Sequence, residues 1–132
     1  MSLELTLLCW TLVLALAQIF LTVAVLNKDF GLKYNMSARD APPPPVSVLG
    51  GRLRRAQANL FETLPLFAAA ILIAHVAGRE NALTRLGAEL FLGARIVYLP
   101  LYAAGVPVLR TLAWAVSVVG LVLLFVAVLH PA

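Results

Sequence analysis

The chain has 132 residues, of which 62% are hydrophobic and 12% charged, and it carries a net charge of +4. Few soluble domains are this apolar, and four apolar blocks of membrane-spanning length account for most of the chain. The basic residues stand at the ends of these blocks, as in membrane proteins, so the charge does not support a nucleic-acid partner. Cys9 is the one cysteine, which excludes a disulfide framework and a cysteine metal cluster. We predict a single all-α membrane domain over residues 1–132.

The first apolar block, Leu3–Leu26, is long enough to span a bilayer, at about 36 Å as a helix. It lacks a basic amino-terminal region and exceeds the length of a signal-peptide core, so we predict a first helix that is retained. Thr11 and Gln18 are seven residues apart and share a face, which we expect to turn towards the rest of the bundle.

A basic loop over Asn27–Gly51 follows the first span. Its run Pro42–Pro45 predicts an extended spacer of about 12 Å, a reading that we favour over a docking motif for aromatic grooves. Gly50-Gly51 is expected to free the chain before the second helix. We predict that this helix runs from Arg52 to about Ala77.

A polar stripe marks the first half of the second span. Because a helix advances 100° per residue, four polar residues fall on one face: Arg52, Arg55, Asn59 and Glu62. Glu62 lies about 15 Å along the axis from Arg52, which is within the hydrocarbon if Arg52 marks the interface. An unpaired carboxylate there is costly, so it must face protein, water or a ligand. We favour a polar ligand site over a seam that only joins helices.

The third span, predicted from Ala82 to about Ala104, follows the short turn Gly78–Asn81 and must therefore run antiparallel beside the second. Three of its polar residues share a face because they are spaced i, i+3 and i+7: Arg95, Tyr98 and Tyr102. A second pair, Arg85 and Glu89, is spaced for a salt bridge within the helix.

Equal distances counted from that turn bring Arg95 to the depth of Leu64, within one helical turn of Glu62. Opposite charges buried on adjacent helices are costly unless they pair, so we predict that Glu62 and Arg95 form an ion pair.

The fourth span is predicted over Thr111–Leu129, after Gly105 and Pro107 end the third helix. Arg110 and Trp114 at its start fit a belt at the membrane interface. Most Lys and Arg residues follow the first span or precede the fourth, so the positive-inside rule predicts that this end faces the cytoplasm. The polar stripe lies at the same end, and both termini lie on the other side.

The segment Arg55-Ala-Gln-Ala-Asn-x-x-Glu-x-x-Pro-x-Phe67, with Arg95-x-x-Tyr98-x-x-x-Tyr102 on the next span, resembles the signature of the MAPEG superfamily. These are the membrane-associated proteins of eicosanoid and glutathione metabolism. The resemblance covers the whole chain, which most resembles the bacterial members of the superfamily. It implies a four-helix membrane bundle in the bacterial inner membrane, assembled as a homotrimer. It also implies that glutathione binds between subunits at the cytoplasmic ends of the helices.

The same resemblance implies roles for individual residues. Those that match glutathione-holding positions, or that complement the charge of the tripeptide, are Arg52, Arg55, Gln57, Asn59, Glu62, Arg95, Tyr98 and Tyr102. Arg110 resembles the arginine near the fourth helix that polarises or deprotonates the glutathione thiol, and it is the candidate catalytic residue; an interface anchor is the other reading of this residue.

The implied function is a glutathione-dependent transferase or peroxidase acting on lipophilic electrophiles that arrive from the bilayer. Glutathione supplies the thiol, so no catalytic cysteine is needed, and a guanidinium in a low-dielectric site favours the thiolate. One alternative is a non-catalytic membrane protein that binds thiols or lipids or organises partners. Another is a small transporter, which is weaker because no inverted repeat is visible. Two histidines in the whole chain predict no metal site.

Overall fold

The computed structural model describes residues 1–130, which fold into helices whose longest connection is residues 36–47. The elements in chain order are α1 (Leu3–Phe30), α2 (Leu32–Asn35), α3 (Val48–Val76), α4 (Ala82–Ala104) and α5 (Pro107–Leu129). Each of the four long helices is long and apolar enough to cross a membrane, and no strand occurs within the described residues. The prediction of an all-α fold with four spans is confirmed.

The bounds of α4 agree with the prediction because both ends have strong local signals. Asn81 caps the first turn by accepting hydrogen bonds from the backbone of Leu83 and Thr84, at 2.9 and 3.1 Å. Gly105 ends the helix in the left-handed conformation with φ 76°. The next helix, α5, begins earlier than predicted, at Pro107, because proline is well suited to a first helical turn.

The start of α3 differs from the prediction. Gly50 and Gly51 lie inside the helix, so the expectation that they free the chain before it is wrong. The Oγ of Ser47 accepts from the backbone of Gly50 at 2.9 Å, and Asp29 Oδ2 accepts from the Oγ and backbone N of Ser47 at 2.7 and 3.1 Å. The helix α3 therefore begins at Val48, with Ser47 as its cap and the Asp29 carboxylate at the positive end of its dipole. Asp29 also packs so closely on Gly50 that a Cβ there would clash.

The core lies between the four long helices and is mainly apolar, although seven polar or charged side chains of the described residues are also buried. Phe67 of α3 stacks on Phe91 of α4, with ring centroids 4.2 Å apart and ring planes 9° from parallel. Glycines bring α4 and α5 into backbone contact, since a Cβ on Gly87 would lie 2.6 Å from the carbonyl oxygen of Gly120. Small residues permit this close approach of membrane helices, for which van der Waals packing is a main source of attraction. Thr11 and Gln18 of α1 are buried, as their shared face predicts.

Polar side chains join the helices at the end that holds the amino terminus. Ser2 Oγ donates to Glu80 at 2.6 Å, and His75 Nδ1 lies 3.1 Å from the other oxygen of Glu80. Buried Glu4 accepts from Thr84 Oγ1 at 2.8 Å, which ties α1 to α4. The hydrogen bond from Ser2, with the His75 contact, lowers the pKa of the Glu80 carboxyl below its usual value.

The predicted salt bridge between Arg85 and Glu89 is wrong. Within residues 1–130, the contact between His75 and Glu80 is the one approach of a basic group to a carboxylate within 4.0 Å. Both Arg85 and Glu89 are exposed on the outer face of α4, where no neighbouring helix holds their side chains together.

Candidate functional site

An open cavity of about 260 Å³ lies where α3 begins, α4 ends and α5 begins. It is at the end of the bundle opposite to the Glu80 cluster. The residues that line it come from all three helices: Asn59, Tyr98, Tyr102, Arg110, Thr111 and Trp114. Its volume is slightly below the range for small-molecule pockets, about 300–1,000 Å³. Four of the residues predicted to form the site therefore share one cavity.

Arg95 is a buried cation beside this cavity, with only 2% of its surface exposed. Its Nη1 donates to Asn59 Oδ1 at 2.7 Å, and its guanidinium carbon lies 4.2 Å from the centre of the Tyr98 ring. The other two guanidinium nitrogens, Nε and Nη2, are buried without a hydrogen-bond partner. Unpaired buried donors are rare in proteins because each costs free energy, so this group is suited to receive an acceptor from a ligand.

The predicted ion pair between Glu62 and Arg95 is not formed. No arginine within the described part of the chain lies within 4.0 Å of a carboxylate oxygen, and Glu62 is exposed. On α3, Glu62 points about 160° away from buried Leu60, whereas Asn59 points about 100° away from it. The Asn59 edge of the polar stripe therefore reaches α4, while the Glu62 edge turns outward. The depth count places Glu62 and Arg95 at similar levels along the bundle axis, but the direction in which each side chain points around its helix decides which residues meet.

Tyr102 brings two further arginines to the cavity. Arg55 Nε donates to the Tyr102 hydroxyl at 3.1 Å, and the guanidinium carbon of Arg110 lies 4.6 Å from the centre of the Tyr102 ring. The Tyr98 and Tyr102 ring centroids are 5.5 Å apart. The side chains of Arg95, Tyr98, Tyr102 and Arg110 thus form a continuous row of cation, ring, ring and cation. The prediction that Arg95, Tyr98 and Tyr102 share a face is confirmed, since all three are buried.

Arg52 and Gln57, two more of the residues predicted for the site, do not line the cavity. Arg52 Nη1 donates to the carbonyl oxygen of Ala103 at 3.2 Å, where the last carbonyl groups of α4 attract a cation. A Cβ on Gly105 would lie 2.6 Å from the Arg52 guanidinium, so this contact needs glycine at the helix end.

Gln57 is on the other side of α3. It lines a second cleft, of about 340 Å³, together with Thr22 of α1 and Phe61. Its Oε1 is buried without a partner in the structure. The carboxamide of Gln57 therefore does not meet the row of arginines and tyrosines within one chain.

Thr111 and Trp114 line the cavity but are not among the site residues predicted from the sequence. Trp114 follows Arg110 by four residues, so the two share a face of α5, and this spacing is the signal that would have placed it in the site. Thr111 offers no comparable signal, and its Oγ1 donates to the carbonyl oxygen of Pro107 at 3.0 Å. Arg110 and Trp114, which we expect at the membrane interface, thus also form part of the cavity wall.

The cavity brings cationic side chains together with aromatic ones, which is the composition of a site for an anion. Arg55, Arg95 and Arg110 supply positive charge, and guanidinium groups bind carboxylates through paired hydrogen bonds. The Tyr98 and Tyr102 rings pack against the guanidinium groups of Arg95 and Arg110. The site therefore suits an anionic molecule that also has, or meets, an apolar partner.

The comparisons with known proteins agree with this description. A model of the MAPEG family matches residues 7–130, a range that includes the whole site. No curated protein and no solved structure matches the chain. Because the family model covers nearly the whole chain and the fold has the four spans that this resemblance implies, the protein is a multi-pass membrane protein of the glutathione and eicosanoid metabolism superfamily and belongs to the MAPEG family.

Proposed function

We propose that the protein is a glutathione-dependent transferase or peroxidase that activates the glutathione thiol towards lipophilic electrophiles. Membership of the MAPEG family supports a role in glutathione or eicosanoid chemistry. The observation that carries the proposal is buried Arg95, which has two unpaired guanidinium nitrogens and contacts Asn59 and Tyr98 in the wall of the cavity. A ligand that accepts hydrogen bonds from these nitrogens would remove the free-energy cost of leaving them unpaired.

The charges of glutathione are complementary to those of the site. The tripeptide has two carboxylates and one ammonium group, and Arg55 and Arg95 are the cations proposed to bind the carboxylates. Glu62 is proposed to bind the ammonium group, since its carboxylate is exposed and unpaired in the chain. Asn59 is proposed to contact the peptide backbone of the ligand while it holds Arg95 in position.

Arg110 is the proposed catalytic residue. A free thiol has a pKa of about 8.5, and a guanidinium beside it in a low-dielectric cavity lowers that pKa. The guanidinium of Arg110 lies over the Tyr102 ring at the edge of the cavity, where it is half-buried. In the transferase reaction, the thiol proton leaves to water and the sulfur then forms a bond to the electrophilic carbon, while the bond from that carbon to its leaving group breaks and the leaving group takes the electron pair.

We also propose that the protein acts as a homotrimer with the ligand between subunits. Glu62 is exposed on a membrane-spanning helix, and a lone carboxylate facing lipid is costly, so a neighbouring subunit is proposed to cover it. Gln57 opens into a different cleft from Asn59, which supports a site built from both sides of α3 in two adjacent subunits. The positive-inside rule supports a cytoplasmic position for the site, in the bacterial inner membrane that the resemblance implies.

A titration of the detergent-solubilised protein with glutathione tests the proposal. We expect saturable binding, weakened about tenfold or more in Arg55→Ala, since a charge-assisted hydrogen bond contributes about 1.5–3 kcal/mol. Arg85→Ala is a matched control, because Arg85 is an exposed arginine remote from the cavity. Binding without turnover of any electrophile would favour the non-catalytic alternative, and no binding would contradict the site.

A further inference from the structure

Trp114 differs from the other aromatic residues that line the cavity. The Tyr98 ring has the guanidinium of Arg95 at 4.2 Å, and the Tyr102 ring has that of Arg110 at 4.6 Å. Within residues 1–130, Trp114 has neither a guanidinium over its ring nor an aromatic stacking partner. Its side chain is 39% exposed. The indole is therefore the aromatic surface of the cavity that is free to receive a ligand.

Trp114 lies on the side of the site that is nearer to the membrane interior. It follows Arg110 by one helical turn, which places it about 6 Å further along α5, away from the basic end and towards the membrane interior. Arg110 and Trp114 thus give one face of the helix a cationic end and an aromatic end. A molecule that enters from the lipid would meet the indole beside the cation proposed to hold the thiolate.

We propose that Trp114 determines the specificity for the second substrate and selects planar aromatic electrophiles by stacking. The inference rests on the proposed function, since it concerns the partner of the thiol in the same cavity. Offset stacking of two aromatic rings adds stabilisation beyond the burial of their surface. An aliphatic electrophile of similar size gains the burial but not the stacking.

The reaction for such a substrate is a substitution on an activated aryl halide. The glutathione thiol loses its proton to water, and the sulfur forms a bond to the ring carbon that carries the halogen. The carbon–halogen bond then breaks, and the halide leaves with the bonding electron pair. The indole of Trp114 takes no part in bond making and holds the ring plane beside the sulfur.

The first experiment compares kcat/KM for 1-chloro-2,4-dinitrobenzene with kcat/KM for an aliphatic epoxide. We expect Trp114→Leu to lower the ratio of the two about fivefold, since stacking contributes about 0.5–1.5 kcal/mol, and Trp114→Phe to restore most of it. Trp10→Leu is the matched control, because Trp10 is an exposed tryptophan of α1 outside the cavity. An unchanged ratio in Trp114→Leu would overturn the inference and leave Trp114 as an interface anchor.

The second experiment needs no turnover and uses the two tryptophans of the chain. In Trp10→Phe the single tryptophan is Trp114, and its fluorescence should be quenched on addition of the dinitrophenyl conjugate of glutathione. In Trp114→Phe the emission of Trp10 should be quenched much less, because Trp10 does not line the cavity. Quenching of Trp10 alone would overturn the inference. If the native protein neither binds glutathione nor turns over either electrophile, the proposed function fails and this inference with it, whereas turnover without a planar preference overturns the inference alone.

Discussion

Replacing Asn59 with leucine removes the one hydrogen-bond acceptor that the described residues give to Arg95. The bond is short, 2.7 Å between Nη1 and Oδ1, and one partner is a buried cation. Loss of a hydrogen bond to a charged group costs about 1.5–3 kcal/mol, so Asn59→Leu should lower the free energy of unfolding by that amount. Arg95→Met should cost about 1 kcal/mol or less, because it also removes a charge whose desolvation opposes folding.

The pair is best measured in a double-mutant cycle, by equilibrium unfolding in detergent micelles without glutathione. Asn59→Leu combined with Arg95→Met should cost less than the sum of the two single changes, with a coupling of about 1–2 kcal/mol. The control cycle joins Arg95→Met to Glu62→Gln and should be additive within about 0.5 kcal/mol, because these side chains do not meet. Additivity in the first cycle, or coupling in the second, would refute the contact of Arg95 with Asn59 described above.

Three further predictions concern catalysis, packing and pH. Arg110→Ala should lower kcat and move the pH–rate profile upward, since the thiol then ionises at a higher pH; an unchanged profile would leave Arg110 as an interface anchor. Gly87→Ala should cost about 1–3 kcal/mol, measured by thermal unfolding, because its Cβ would meet the backbone of Gly120, while Gly93→Ala, with open space, should not. The pKa of Glu80 is lowered on folding, so its contribution to stability should be present above its ordinary pKa of 4.5 and lost as pH falls through the lowered value. Glu80→Gln should remove that acid-side loss in a pH series of unfolding measurements.

The spans and the shared face of the third-helix residues could be predicted because their signals are local. The bounds of α4 follow from Asn81 and Gly105, and the common face of Arg95 and Tyr102 follows from helical spacing. The start of α3 depends on Asp29, a residue of α1 that contacts Ser47 only in the folded chain. The residues near the helix end contain only part of that information, the capping hydroxyl of Ser47.

The partner of Arg95 could not be predicted from the depth count. Counting from the turn gives the level of a residue along the bundle axis, and the side chain of arginine is long enough to reach a turn above or below that level. Which acceptor it meets is decided by the direction each α3 residue faces, and that depends on how α3 packs on α4. The cavity has the same origin, because Trp114 joins it only when α5 lies against α4.

The central claim is that this cavity binds glutathione and favours its thiolate. The most direct test is the ultraviolet absorbance of the thiolate as glutathione is titrated into the native protein and into Arg110→Ala at neutral pH. We expect a saturable thiolate signal with the native protein and a much smaller one with Arg110→Ala, because the guanidinium stabilises the anion. Absence of the signal from the native protein, or an equal signal from both proteins, would contradict the claim.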